Sequence, residues 1–374
     1  MDITIFVYHF LKSALDRRDS ISCIKKAVLC TGFGWNKYMI TIRRAEFEDI
    51  PRIMEFIDTY WKKGHILATN RSFFEWQFAD EGMVNLVLAE DKTAQHIYGI
   101  NGYIRYNQSA TPDITGCMWK ALKTIEYPML GLNFGEILYQ TTHARYNIGI
   151  GLNSRSRQYE KLNGAYVAKM NHAYRLGNSK DFHIADIKDF KNNPYKKTES
   201  KLESITSIEQ FKKRIPVSLL SSIIPYKDYY YIEHRYFKHP IYNYNLYSLI
   251  ISGKPIPAVF VVREITALGR KCAKIVDYFG EEKWIGHSGK AIDELISLNN
   301  YEFISFYCLG IDNSYLKESG FSFIEENDIN IIPCYFEPFE KKNIDIYAVM
   351  IPEIKEKTRL FLGDGDQDRP SKIT

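Results

Sequence analysis

The chain has 374 residues, enough for two or three hydrophobic cores. Its 49 basic and 45 acidic residues are interspersed and leave a net charge of +4, without the dense Lys/Arg clustering of a nucleic-acid surface. Apolar content of 45% is that of a globular protein, and no apolar run reaches the roughly 20 residues that cross a bilayer.

The N-terminus does not read as a signal peptide, because Asp2 precedes a short apolar run interrupted by His9, with no small-residue cleavage site after it. None of Cys23, Cys30, Cys117, Cys272, Cys308 and Cys334 forms a CxxC pair or a zinc pattern. They read as buried thiols in a reducing compartment, and no metal is expected. The cytoplasm follows as the expected location. The 27 Tyr and 22 Phe suit stacking on a sugar or nucleobase, and equally a coding bias toward Tyr, Ile, Asn and Lys.

In chain order, residues 1–38 read as a helical extension, with short helices at 5–16 and 20–29. The character changes at Met39, which is itself a candidate start; the alternative is an arm packed on the following domain. Residues 40–43 form a strand. Glu48, Asp49 and Pro51 then open a helix whose apolar stripe is Ile50, Ile53, Met54, Ile57 and Tyr60. A short helix fits 72–79. Strands fit 84–90 and 96–106, joined by a polar turn, and a third runs over 114–125. A helix over 132–144 follows a Gly-bearing turn; next come a strand at 146–152, a helix at 154–162 and a last strand at 165–176.

Residues 178–207 are polar and read as a linker. Beyond it, helices at 208–214, 227–237 and 288–299 alternate with strands at 244–252, 258–265, 272–279, 303–307 and 344–351. The order repeats that of the first half without visible identity. The expected fold is α+β: two mixed sheets flanked by helices, in domains 39–177 and 208–362. Residues 363–374 read as a solvated acidic tail. Asp364, Asp366 and Asp368 look like a calcium loop but lack the bidentate Glu that would close one.

The chemistry-bearing segment is Glu126-Tyr-Pro-Met-Leu130-Gly131-Leu132-Asn133-Phe134-Gly135. A long strand runs into a Gly turn and a helix starts at once. The first amides of a helix lack internal partners and favour anions, and Gly131 lets phosphate oxygens approach the backbone. About 20 residues on comes Asn153-Ser-Arg155-Ser-Arg-Gln-Tyr159-Glu160-Lys-Leu-Asn-Gly164. Together these two segments resemble the GNAT superfamily of acyl-CoA-dependent N-acyltransferases over about 39–176. The loop departs from the family pattern: Met129 and Leu130 precede Gly131, Asn133 takes the second small position, and one extra residue separates Tyr159 from Gly164.

The resemblance implies acetyl-CoA as co-substrate, held by 130–135, Asn153 and Arg155. It implies Tyr159 as the acid that protonates the departing thiolate, and a base drawn from Glu126 and His65. His65 reads equally well as a capping or core histidine. Trp61-Lys-Lys-Gly-His65 and the tail also resemble tandem-GNAT proteins of bacterial surface-polysaccharide assembly. That narrower likeness implies an amino-sugar acceptor, nucleotide-linked in its narrowest form. Trp61, Trp76 and Arg235 are the expected substrate contacts; Tyr229, Tyr236 and Phe237 fit a core face as well. A homo-oligomer is left open. Fem-like aminoacyl transfer and a non-catalytic GNAT-fold subunit are the alternatives. Glu281 and Glu282 stand where phosphates would bind in the second half, so only the first is expected to hold coenzyme A.

Overall fold

The computed structural model describes residues 40–80, 82–91, 93–123, 130–162, 164–179, 181–190, 192–352 and 356–372. The arm expected over 1–38 and the candidate base Glu126 lie outside the described residues. Contacts divide the chain into a small unit, Met1–Thr41 with Glu90–His96, and a large unit, Ile42–Ala89 with Ile97–Thr374. In the small unit the Asp91 carboxylate accepts the amides of Thr93 and Ala94 at 2.8 and 3.1 Å, an Asx turn.

The first half supplies strands β1 (Ile40–Ala45), β2 (Ala79–Asp80), β3 (Met83–Asp91), β4 (His96–Arg105), β5 (Asp113–Ala121), β6 (Tyr146–Ile150) and β7 (Tyr166–Lys169). Its helices are α1 (Ile50–Phe56), α2 (Ile66–Thr69), α3 (Arg71–Phe78), α4 (Leu130–Thr142) and α5 (Ser154–Leu162). Strand β8 (Asn171–Leu176) leads into the second half, with β9 (Ser200–Ile205), α6 (Ile208–Arg214), α7 (Val217–Leu220) and α8 (Tyr229–Ile232). Then come β10 (Asn245–Ile251), β11 (Lys254–Ala267), β12 (Arg270–Gly280), α9 (Gly289–Asn299), β13 (Tyr301–Leu309), α10 (Asn313–Glu318) and β14 (Ser322–Phe323). The chain ends with β15 (Tyr347–Ile351) and β16 (Leu360–Phe361).

The fold is the α+β arrangement expected, two mixed sheets flanked by helices. The first runs β1-β3-β4-β5-β6-β15-β7 and the second β9-β10-β11-β12-β13-β8-β14. Each contains a parallel pair, β5 with β6 and β12 with β13, and each of these pairs is joined through a crossover helix, α4 or α9. Beyond that pair each sheet ends in two antiparallel strands, and the inner one belongs to the other half of the chain. β15 lies between β6 and β7, and β8 lies between β13 and β14.

This exchange cuts across the boundaries expected at 177 and 362. The stretch expected as one strand, 165–176, breaks at buried Met170, so that 166–169 joins one sheet and 171–176 the other. The expected linker is also structured in part. Its residues 200–205 form β9, paired with β10, and Ile184 and Ala185 are buried against Phe303 and Leu176. Polarity misled here because β9 is an edge strand with alternate residues in solvent.

Local chemistry explains the elements near the site. Pro51 sits in the first turn of α1, and Ile50, Ile53, Phe56 and Ile57 form its buried stripe. Residues Ile57–Trp61 continue at π pitch. The wider turn shifts the expected stripe: Tyr60 is 40% exposed, while Trp61, the last residue of that turn, is half-buried.

The C-terminal tail is not the solvated terminus its composition suggests. Asp364 and Asp368 are fully buried. The Lys227 ammonium lies 2.6 Å from Asp277 and 2.7 Å from Asp364. Arg235 and Arg263 meet Asp368 at 3.0 and 2.8 Å. Each buried carboxylate is therefore matched by a cation of the second half, the condition for burying charge. Lys227→Met leaves Asp277 and Asp364 facing each other uncompensated. It is expected to cost about 3–5 kcal/mol in chemical denaturation, with much of the loss recovered when both acids are also changed to Asn. Wild-type stability in the single variant would show that the lysine does not hold the tail.

Candidate active site

Strands β5 and β6 pair only from Asp113 to Thr115, opposite Tyr146 to Ile148, and then diverge. A cleft of about 600 Å³ opens beyond that point, a volume in the range of small-molecule sites. Its walls are Met118 and Trp119 of β5, Gly149 and Ile150 of β6, Val349 and Ile351 of the exchanged β15, and the facing sides of α4 and α5. In the second half the corresponding gap is filled. β16 pairs with Cys308 and Leu309 of β13 and lies against β12. Glu282, one of the two acids expected to repel phosphate there, is bonded to Arg359 and to the amide of Asp312.

The expected cofactor residues separate into two groups. Gly131, Gly135 and Asn153 line the cleft. A Cβ on Gly131 would meet the Trp119 ring at 3.5 Å, ordinary contact, and one on Gly135 would meet nothing within 4 Å. The α4 glycines therefore leave a bare strip of helix facing the cleft. The Asn153 carboxamide oxygen accepts the Ser156 amide at 3.0 Å, which caps the start of α5. Leu130 and Phe134, by contrast, are buried, and neither lines the cleft: they hold α4 on the sheet. Arg155 is exposed on α5 and does not line it either. The side chains of Leu132, Asn133 and Tyr159 lie outside what is described; the backbone of Tyr159 is in α5, one residue before Glu160, which lines the cleft. Burial raises the Glu160 carboxyl above its ordinary pKa.

A second cavity, about 210 Å³, adjoins the first; Trp61, Cys117 and Asp366 line both. His65 is in its wall, but as a capping group. Its Nδ1 accepts the Leu67 amide at 3.2 Å, and its ring meets Trp61 edge-on at 4.8 Å. Burial, aided by Lys62, lowers its pKa to about 4. A neutral imidazole whose Nδ1 is engaged as acceptor carries its proton on Nε2, so His65 is a poor proton acceptor. Of the acceptor contacts expected, Trp61 lines both cavities. Trp76 lines neither and stacks on His234 at 4.6 Å. Arg235 is buried against Asp368 and Tyr244 and lines neither cavity.

The tail supplies what sequence reasoning missed. The Thr115 hydroxyl donates to the Asp364 carbonyl at 3.1 Å, where β5 and β6 part. Gln367 packs on Gly151, whose φ is +86° and where a Cβ would fall 1.7 Å from the Gln367 amide nitrogen. Only glycine fits both the left-handed backbone and that contact. These contacts bring Asp366 to the junction of the two cavities, ion-paired to Arg369. Its side chain keeps 44% of its surface accessible because it faces a cavity, while the walls around it raise its carboxyl pKa against the pull of Arg369. A cue lay in the sequence, an acidic Gly turn with no calcium-loop Glu, but nothing there said which side chains it would meet.

No family model and no curated protein matches the chain. Among solved structures, a GCN5-related N-acetyltransferase from Anabaena variabilis is 10% identical, covering 83% of this chain and 72% of that one, with a TM-score of 0.48. A second, from Sphaerobacter thermophilus, is 11% identical over 85% and 98%, with a TM-score of 0.41. Saccharomyces cerevisiae N-myristoyltransferase with bound myristoyl-CoA is 9% identical over 89% and 86%, with a TM-score of 0.42. At such scores the likeness decides nothing about the site; the cleft geometry has to.

The state of His65 gives a pH test. The unfolded chain takes up this proton near pH 6.5 and the folded chain only near pH 4, so His65 favours folding above that window and the benefit is lost as pH falls through it. His65→Asn keeps a capping acceptor without the titration. By pH 5 the wild type should have lost about 2 kcal/mol more stability than the variant, each having been referenced to pH 7.5. Equal losses would mean that His65 is not held neutral.

Proposed function

We propose that the chain is an acyl-CoA-dependent N-acyltransferase, and that its reaction moves an acetyl group from acetyl-CoA to the amino group of a sugar, nucleotide-linked in the narrowest reading. The observation that carries this is the contrast between the two halves. Both part a parallel strand pair next to a crossover helix, and only the first leaves the gap open, with a glycine strip on the helix that borders it.

The residues fit the co-substrate. Helix-start amides suit a diphosphate, and the absence of Cβ atoms at Gly131 and Gly135 leaves room for it. The apolar wall of Met118, Ile150 and Val349 suits a pantetheine arm. Coenzyme A, when bound, supplies the activated thioester. The chain must orient it, accept a proton from the attacking ammonium and return one to the thiolate. Tyr159 is assigned the last role, carried over from its place in α5. The amino-sugar acceptor rests on the sequence resemblance around Trp61 and the tail, and the small cavity beside Trp61 supports it. Among the described residues no cluster of His, Cys, Asp or Glu could hold a metal, and no helix is long and apolar enough to cross a membrane.

Calorimetry with acetyl-CoA tests the reading directly. Gly135→Asp projects a carboxylate into open space, so the variant should keep its melting temperature while its acetyl-CoA Kd rises at least ten-fold. An unchanged Kd would remove α4 from the site.

Tyr159→Phe addresses the chemistry. Loss of the hydroxyl alone should lower kcat roughly ten-fold and leave the acetyl-CoA Kd within two-fold, because the proton is transferred only in the transition state. A thiol-release assay on a fully active variant would exclude this tyrosine, and an absence of release with every amino sugar would favour a non-catalytic subunit.

A further inference from the structure

The 210 Å³ cavity draws its walls from both halves and the tail: Trp61 from the first half, Lys274 of β12 with Phe336 from the second, and Asp366 from the tail. It adjoins the cleft where Trp61, Cys117 and Asp366 border both spaces. A small molecule in the cavity therefore has one end beside the place where an acyl group would lie.

Lys274 is the unusual wall residue. It is 1% exposed, and its ammonium donates to the Cys334 carbonyl and lies 4.9 Å from the Phe336 ring centre. An ammonium has three donors, and among the described residues Lys274 forms no ion pair with a carboxylate. Asp368, the acid whose field reaches it, is already held by Arg235 and Arg263. The other buried cations near the tail each have a carboxylate: Lys227, Arg235, Arg263 and Arg369. Burial lowers the Lys274 pKa, as expected for an ammonium lacking a counter-ion. Two residues earlier on β12, the fold buries Cys272 without any charge. A cation kept in a cavity wall at this cost, with two donors to spare, fits a ligand that supplies the anion.

We propose that this cavity is the acceptor pocket, and that the acceptor is a primary amine that also carries an anionic group, a carboxylate or a phosphate. Asp366 receives the ammonium end at the mouth of the cleft and Lys274 pairs with the anionic end. The inference rests on the acyltransferase reading and narrows its substrate. The ammonium passes one proton to the Asp366 carboxylate. The nitrogen lone pair forms the N–C bond at the thioester carbonyl, and the C–S bond breaks with its electrons on sulfur. Tyr159 protonates the thiolate and recovers its proton from the second surplus proton on nitrogen, and Asp366 releases its own to water.

The full chain is tested in three steps. Acetyl-CoA calorimetry comes first, and absence of binding overturns the acyltransferase reading itself. Second, with coenzyme A filling the cleft, potassium phosphate and potassium acetate are compared with potassium chloride of equal ionic strength in thermal unfolding. At least one should raise the wild-type melting temperature, and which one does so distinguishes phosphate from carboxylate. Lys274→Met should melt above the wild type without anion and lose the anion-dependent rise. Third, thiol release is compared for glucosamine, glucosamine 6-phosphate and muramic acid. An anionic sugar should exceed glucosamine at least ten-fold in kcat/KM. Lys274→Met should erase that preference through KM, and Asp366→Asn should lower kcat at least ten-fold while sparing the acetyl-CoA Kd. If acetyl-CoA binds but neither anion shifts the wild type, or if Lys274→Met melts lower and keeps the anion effect, the inference is overturned and the acyltransferase reading stands. Should none of the three sugars react, the anion and melting-temperature results still decide it.

Discussion

Two buried aspartates, Asp364 and Asp368, hold the end of the chain in the interior, and the candidate site depends on where that end goes. Their partners Lys227, Arg235 and Arg263 come from separate elements of the second half, the loop before α8, the turn after it, and β11. Buried charges of this kind add little net stability compared with an apolar replacement, but they penalise every arrangement in which one partner is missing. Such a network selects one path for the tail. That path runs over the diverging ends of β5 and β6 and leaves Asp366 at the junction of two cavities.

The exchanged strands impose the same kind of constraint on a larger scale. Each half builds a sheet that lacks its penultimate strand, and the other half provides it. β15 brings Ala348 and Met350 into a core shared with Val259, Val261 and Val276. The floor of the cleft, Val349 and Ile351, is therefore made by residues 200 or more positions later in the chain than the β6 residues beside them. Neither half can present the complete site alone, because its sheet would stop at an unpaired edge.

The two halves share an architecture and differ at the gap beside their parallel strand pairs. In the second, β16 and the Glu282–Arg359 pair occupy the gap that in the first remains open. The same chain segment that closes one gap continues into the tail that furnishes the other. The difference between the two halves thus follows from a single stretch, residues 359–369.

Much of this protein is set by local sequence. Hydrophobic spacing, Pro51 in a first turn and Gly breaks specify most strands and helices within a few residues, since these patterns report which face of an element is buried. The α5 segment, 154–162, and α6, 208–214, need no tertiary information. The glycines of α4 were legible because backbone access is a local property, whereas Asn153, expected only as a cofactor contact, also caps α5. What only the tertiary structure decided is which sheet an apolar strand joins, and which partner a charged residue meets. Residues 165–176 read as one continuous strand, and the break at Met170 appears only once β15 takes the place beside β7. The tail reads as solvated because three aspartates in five positions are hydrophilic by composition, and burial of Asp364 and Asp368 becomes favourable only opposite Lys227, Arg235 and Arg263. His65 became a cap, Arg235 a structural ion, and Asp366 and Lys274 cavity walls for one reason: long-range pairing, which no local pattern encodes, determines what surrounds a polar side chain.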